Sequence, residues 1–184
     1  MQPTIKSSRL RLRPFVAADA SDVRRLAGDK RIADMTLAIP HPYPEGAAEA
    51  WIASHPDSYE GGKEATFAIT LMDSGDLLGA ISLLDISREH ARAELGYWVG
   101  VDHWSKGYCT EAVRRLLEFG TEELGITRFV GRCIGRNAAS ARVMVKAGML
   151  PEGHLRQHML RHGRYEDMLL FGLVLAGRTG AVVR

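Results

Sequence analysis

The stretch from Ala91 to Ile134 constrains the fold more than any other part of the chain. ARAELGYWV is an apolar, β-favouring run, and HWSKGYCTE (His103 to Glu111) follows it after a short gap. TEAVRRLLEFGTEELG then places Val113, Leu116, Leu117 and Leu124 at helical spacing and stops at Gly125, and RFVGRCI reads as another strand. A strand, a helix and a second strand in that order form a crossover that lays the two strands parallel.

The remaining segments predict antiparallel surroundings for that unit. SRLRLRPF alternates Leu10 and Leu12 with Arg9, Arg11 and Arg13, which predicts a strand with one solvated face, closed by Pro14. Asp19 and Asp22 mark a capped helix start before VRRLA. Pro44 and Glu45 open a second helix after a loop carrying His41 and Tyr43. TFAITL and LLGAISLLDI, separated by DSGD, predict a hairpin. NAASARVMVKAGM predicts a helix capped by Asn137, with Ala141, Met144 and Val145 on one face and Gly148 as its stop. EGHLRQHML and YEDMLLFGLV, split by RHGR, close the chain as a second hairpin. The expected order is β α α β β β α β α β β, an α/β fold in a single domain over 1–184. Its sheet is mixed and mostly antiparallel, with seven strands and about four helices.

Composition narrows the function. A chain of 184 residues that is 46% hydrophobic can bury one substantial core. The balance of 24 Lys+Arg against 22 Asp+Glu, net +2, argues against phosphate-backbone binding, so no direct nucleic-acid contact is expected. Arg9, Arg11 and Arg13, together with Arg156, Arg161 and Arg164, read as solvated faces rather than an RNA platform. Cys109 and Cys133 have no metal or redox spacing, so no metal is expected. MQPTIKSSRL lacks the apolar centre of a signal peptide, and no run approaches the roughly 18 apolar residues of a membrane span. A soluble, cytoplasmic protein without membrane contact is the expectation.

The junction at His103 to Glu111 is where chemistry enters. Gly107 lets the backbone approach a ligand, Lys106 adds positive charge, and the N–H groups from Tyr108 to Glu111 face the helix start. A pyrophosphate fits such a seat. Spacing alone fits an ordinary turn with a solvated lysine equally well.

RLRLRP, ELGYWV, KGYCTEA, Asn137-x-x-Ser140, KAGM, the EG of PEGHLR and GRYEDMLLFGLV, in that order, resemble the GNAT family of N-acetyltransferases. Within it they resemble the branch of the ribosomal-protein N-terminal acetyltransferases RimJ and RimL. The resemblance implies a GNAT fold with splayed central strands and acetyl-CoA as acyl-donor co-substrate. It also implies direct transfer to a primary amine, either a small molecule or a peptide or protein N-terminus, by a monomer or homodimer. It assigns the turn Trp104, Ser105, Lys106, Gly107, Tyr108, Cys109 and Thr110 to the pyrophosphate. Amides around Val99, Gly100 and Val101 would hold the cofactor and the acetyl carbonyl, and Asn137 and Ser140 would lie beside the cofactor arm.

The sequence departs from the family pattern Q/R-x-x-G-x-G/A, reading W-S-K-G-Y-C. Trp104 is then either core packed under the turn or a ring stacked near the ligand. The thiol of Cys109, at a helix N-terminus, is expected to have a lowered pKa, although direct transfer gives it no task; Cys133 reads as core. Gly100 marks either a ligand approach or relief of crowding. The tyrosine that protonates the leaving thiolate in many relatives is replaced by Met144, which leaves Ser140 as a substitute acid acting directly or through water.

Glu94 is the candidate water-mediated base, on one strand face with Gly96, Trp98 and Gly100. A carboxylate paired with Arg92 or another arginine fits that position equally. His154 and His158, on a face with Arg156, could line a pocket, and His41 and Asp85 are weaker candidates. An α-amine with pKa near 8 is roughly a tenth neutral at pH 7, whereas lysine near 10.4 is neutral about once in 2,500 molecules. A site without an obvious base therefore suits a peptide N-terminus or another low-pKa amine. The alternative function is a non-catalytic acyl-CoA sensor or partner-binding domain.

Overall fold

Alternating apolar residues build the sheet from its first edge. In the computed structural model, which describes residues 1–161 and 163–175, β1 (Ile5–Lys6), β2 (Leu10–Arg13), β3 (Ala65–Leu71), β4 (Leu77–Ser87) and β5 (Arg92–Val99) pair antiparallel in sequence order. β6 (Arg128–Ile134) joins β5 in parallel, and β7 (Leu150–Arg161) and β8 (Arg164–Val174) complete the order β1-β2-β3-β4-β5-β6-β8-β7. The sheet has eight strands rather than seven. The extra one, β1, is a two-residue strand too short to show alternation, held by Ile5 opposite Leu12. His162, inside the expected RHGR turn, and residues 176–184 of the expected domain lie outside the described residues.

The two expected N-terminal helices are each divided, into α1 (Ala20–Ala27) with α2 (Lys30–Ala33) and α3 (Ala47–Ala53) with α4 (His55–Glu60). Asp29 restarts the helix by accepting a hydrogen bond from the Arg31 N–H. Asp19 does not cap α1. Its carboxylate instead accepts both terminal nitrogens of Arg13 at 2.7 Å and the Val16 N–H at 2.9 Å, tying β2 to α1. Pro44 and Glu45 lie ahead of α3, which begins only after the left-handed Gly46.

α5 (Tyr108–Glu122) and α6 (Ala138–Lys146) follow the expected crossover and Asn137 cap. α5 buries Val113, Leu116 and Phe119 against Phe67, Leu83 and Phe129, with Phe119 edge-on to Phe67 at 5.5 Å. α1 and α3 cover the opposite sheet face around Ala68, Leu26, Ile52 and Trp98. Among the described residues, no helix is long and apolar enough to cross a membrane.

The feature that positions everything else is the seam between β5 and β6. Only Arg92–Leu95 are in register with Arg128–Gly131. Beyond Leu95, β5 remains paired with β4 alone, and beyond Gly131, β6 remains paired with β8 alone. The two strands part, leaving a gap in the middle of the sheet.

Candidate active site at the parting of two strands

Hydrogen-bond alternation decides which groups face the gap. The Gly100 N–H donates to Leu78 O at 2.8 Å, so the even-numbered residues of β5 exchange bonds with β4. The main-chain groups of Tyr97 and Val99 consequently point toward the side that β6 has left. Gly100 itself therefore offers no amide to a ligand. A Cβ there would fall 2.7 Å from Leu26 Cδ2, so close packing of α1 accounts for the glycine. Val99 O accepts the Trp104 indole N–H at 2.7 Å, while the residue remains 43% exposed. Trp104 is thus not core; it anchors the turn to the strand end and leaves its ring on the surface.

After Val101, in a short 3-10 turn (Val101–His103), the chain turns into α5 through Ser105 at φ 60° and Gly107 at φ 81°. Left-handed residues on either side of Lys106 shape a concave stretch of backbone, and only glycine adopts such a φ without steric strain. The first i→i−4 bond of α5 runs from Glu111 N–H to Gly107 O at 3.1 Å. The amides of Tyr108, Cys109 and Thr110 precede it and stand open at the N-terminus of the helix. Burial pushes the Cys109 thiol up to about 12, the reverse of the lowered pKa expected at a helix start. Desolvation outweighs the helix-end field, and the thiol stays protonated at neutral pH.

Arg9, ahead of β2, reaches this turn, and the sequence reading missed it. Its guanidinium donates to Lys106 O at 3.1 Å, pairs with Glu111 at 2.7 Å and lies 4.7 Å from the Tyr108 ring centroid. Arg13 and Arg161, also expected as solvated, are likewise engaged: Arg13 with Asp19, and Arg161 with the carbonyls of Ala33 and Leu37.

On the α6 side, Asn137 Oδ1 accepts from the Ser140 N–H at 3.0 Å and Nδ2 donates to Met35 O at 2.9 Å, so the chain itself occupies both ends of its amide. Ser140 Oγ lies 2.8 Å from Tyr97 Oη, which also donates to Ser140 O at 3.1 Å. Burial holds the Tyr97 phenol well above the usual tyrosine range. Met144 is 1% exposed and packs over Gly131, where a Cβ would fall 2.5 Å from its sulfur, so it belongs to the core. The hydroxyl beside Ser140 therefore comes from the strand. Tyr97 escaped the sequence reading, which followed the even-numbered face of β5.

Glu94 faces the opposite side of β5. Arg132, not Arg92, binds both of its oxygens, at 2.9 and 2.8 Å. The pair borders a cavity of about 270 Å³ with Asp85, Arg92, Ala93 and Val130. The histidine candidates have other surroundings: His154 Nε2 lies 2.7 Å from Asp167, His41 Nδ1 lies 3.1 Å from Gly28 O, and His158 is exposed on β7. The geometry thus joins Val99, the Trp104 to Thr110 turn and, through Tyr97, Ser140 around one gap, with Glu94 on the other sheet face. Arg136 and Arg161 tie the segment after α2 to this end of the sheet, through Asp34 O (2.9 Å) and Leu37 O (2.8 Å) respectively.

Comparisons with known proteins identify the family. A family model described as an acetyltransferase (GNAT) domain matches residues 9–150. The N-acetyltransferase YoaA of Bacillus subtilis, whose own role is uncharacterized, is 27% identical over 183 residues, 95% of this chain and 98% of that protein. The ribosomal-protein-serine acetyltransferase of Escherichia coli is 29% identical over 100 residues, 54% of this chain and 56% of its own. The solved structure of RimL, a ribosomal α-N-protein acetyltransferase in complex with coenzyme A, shares the fold with a TM-score of 0.84 at 19% identity, across 94% of this chain and 98% of that one.

Proposed function

Because the chain belongs to the GNAT family of acetyltransferases, we propose that it transfers an acetyl group from acetyl-CoA directly to a primary amine of low pKa, such as a peptide or protein N-terminus. The observation that carries this reading is the continuity between the open amides at the start of α5 and the gap-facing amides of Tyr97 and Val99.

The residues present fit acetyl-CoA. Lys106 and the amides of Tyr108 to Thr110 suit its pyrophosphate, and the gap suits an extended pantetheine arm. When bound, acetyl-CoA supplies an activated thioester carbonyl. A gap-facing N–H from Tyr97 or Val99 donates to that carbonyl oxygen as negative charge develops on it, an interaction whose loss costs about a hundredfold or more in turnover. Ser140, held by the Tyr97 phenol, presents a hydroxyl to the departing sulfur. With the Tyr97 proton shared between Ser140 O and Oγ, the Ser140 O–H would be free to donate to the sulfur of the bound donor, and a proton from the attacking nitrogen would return to that sulfur.

Glu94 lies on the other sheet face, the side from which an amine would enter. With both oxygens bound to Arg132, it serves as a base only through water. That arrangement favours amines already partly neutral, and so α-amines over lysine side chains.

The test measures thiol release from acetyl-CoA with peptide N-termini, polyamines, aminoglycosides and lysine, at pH 7 and pH 9, alongside titration calorimetry with coenzyme A. Turnover with α-amines should exceed that with lysine at pH 7, and the difference should narrow at pH 9 as lysine loses its proton. Coenzyme A binding without turnover on any amine would sink the proposal and favour the sensor reading.

A further inference from the structure

α5 carries a carboxylate in its first turn, at the helix start proposed to receive a pyrophosphate. Glu111 lies one turn beyond Gly107, where its negative charge opposes the same anion that the open amides attract. The chain surrounds this carboxylate with donors. Glu111 Oε1 accepts from Ser7 Oγ at 2.8 Å, Ser8 Oγ at 3.0 Å and the Arg9 N–H at 2.9 Å, and Oε2 accepts from Arg9 Nε at 2.7 Å. The remaining face of the Arg9 guanidinium meets the turn itself. Nη1 donates to Lys106 O at 3.1 Å, a Cβ on Gly107 would lie 3.4 Å from Nη2, and the group stacks over Tyr108 at 4.7 Å. Half of the Arg9 side chain remains exposed, whereas Glu111 is largely covered.

We infer that Arg9 supports the acyl-donor site by cancelling the Glu111 charge beside the Lys106–Gly107 turn, so that the helix start can hold a pyrophosphate. The inference rests on the proposed acetyl-CoA seat and goes beyond it. It assigns a residue nearly a hundred positions upstream, in the turn between β1 and β2, to affinity for the donor. It also gives the carboxylate a purpose: Glu111 orients the guanidinium against the turn, and the pair is neutral where Glu111 alone would repel the ligand.

The experiment compares R9Q, R9K, E111Q and R9Q/E111Q by titration calorimetry with coenzyme A, by steady-state kinetics in acetyl-CoA and by thermal melting. R9Q should weaken coenzyme A binding about tenfold, the scale of one uncompensated charge near a phosphate at the protein surface. The loss should appear in KM for acetyl-CoA, with kcat within about twofold, because Arg9 acts on binding rather than on the reacting atoms. R9K keeps the charge and should bind within about threefold of the parent protein.

The double variant separates charge from scaffolding. R9Q/E111Q removes the charge of both partners, yet it should recover binding to within about threefold of the parent because no charge is left uncompensated. A purely structural clamp predicts instead that the double variant binds as weakly as R9Q or more weakly. That result, or an R9Q protein that binds like the parent, overturns the inference. If R9Q does not fold, E111Q carries the test: with Arg9 left unopposed it should bind coenzyme A at least as tightly as the parent, and weaker binding by a folded E111Q protein overturns the inference. A parent protein that does not bind coenzyme A overturns the donor seat and this inference together.

Discussion

His55 shows how much one side chain can decide. It is 6% exposed, packed against Phe15 at 5.4 Å and Trp51 at 4.5 Å, and neither ring nitrogen has a hydrogen-bond partner among the described residues. Burial lowers its pKa from the ordinary 6.5 to about 4. As the pH falls through 6.5 the unfolded chain takes up a proton that the folded chain refuses until about pH 4, so stability is full above that window and drains across it. The loss is on the order of 2–3 kcal/mol. Urea unfolding at pH 7 and pH 4.5 should show it, and H55F should flatten the difference; an equal loss in H55F would assign the acid sensitivity to other groups. Tyr97 and Arg9 belong to the same scale and were illegible in the sequence for one reason. Their partners lie 43 and 102 positions away, at Ser140 and Glu111, and no local pattern records a contact of that range.

At the scale of elements, periodicity made the strands and helices around the crossover readable, because one buried face repeats every two or every 3.6 residues. It could not reveal where pairing stops. That β5 and β6 share only four register positions, and that β6 neighbours β8 before β7, are properties of adjacency in the sheet rather than of either strand. Turn chemistry was legible at Gly107 but not at Ser105, since serine gives no sign of a left-handed φ. A comparison among glycines tests the turn. Gly107→Ala, at φ 81°, should cost about 1 kcal/mol of stability and weaken coenzyme A binding about tenfold by turning the neighbouring amides away from the ligand. Gly125→Ala and Gly148→Ala, at φ 69° and 93° with open space around each, should cost a similar stability and leave binding unchanged. Equal binding by all three alanine proteins would remove the turn from the donor site.

For the whole molecule, the expectation of one α/β sheet with a single parallel pair was sound because strand order and crossover length leave few alternatives. The functional class followed from motifs on that frame, while the acceptor did not, since segments that meet at this end of the sheet, such as Leu37 and Arg161, lie far apart in the chain. The parted seam has one more consequence. Five strands stand on one side of it and three on the other, joined in main-chain hydrogen bonding by four register positions. A ligand with an extended amide arm laid in that opening works as a splint, a borrowed length of strand bridging two half-sheets. Affinity for the donor and rigidity of the frame then become one quantity: coenzyme A at a hundred times its Kd should raise unfolding stability by about 2.7 kcal/mol and slow amide exchange on both lips of the opening, at Tyr97 and Val99 and along Arg132–Ile134.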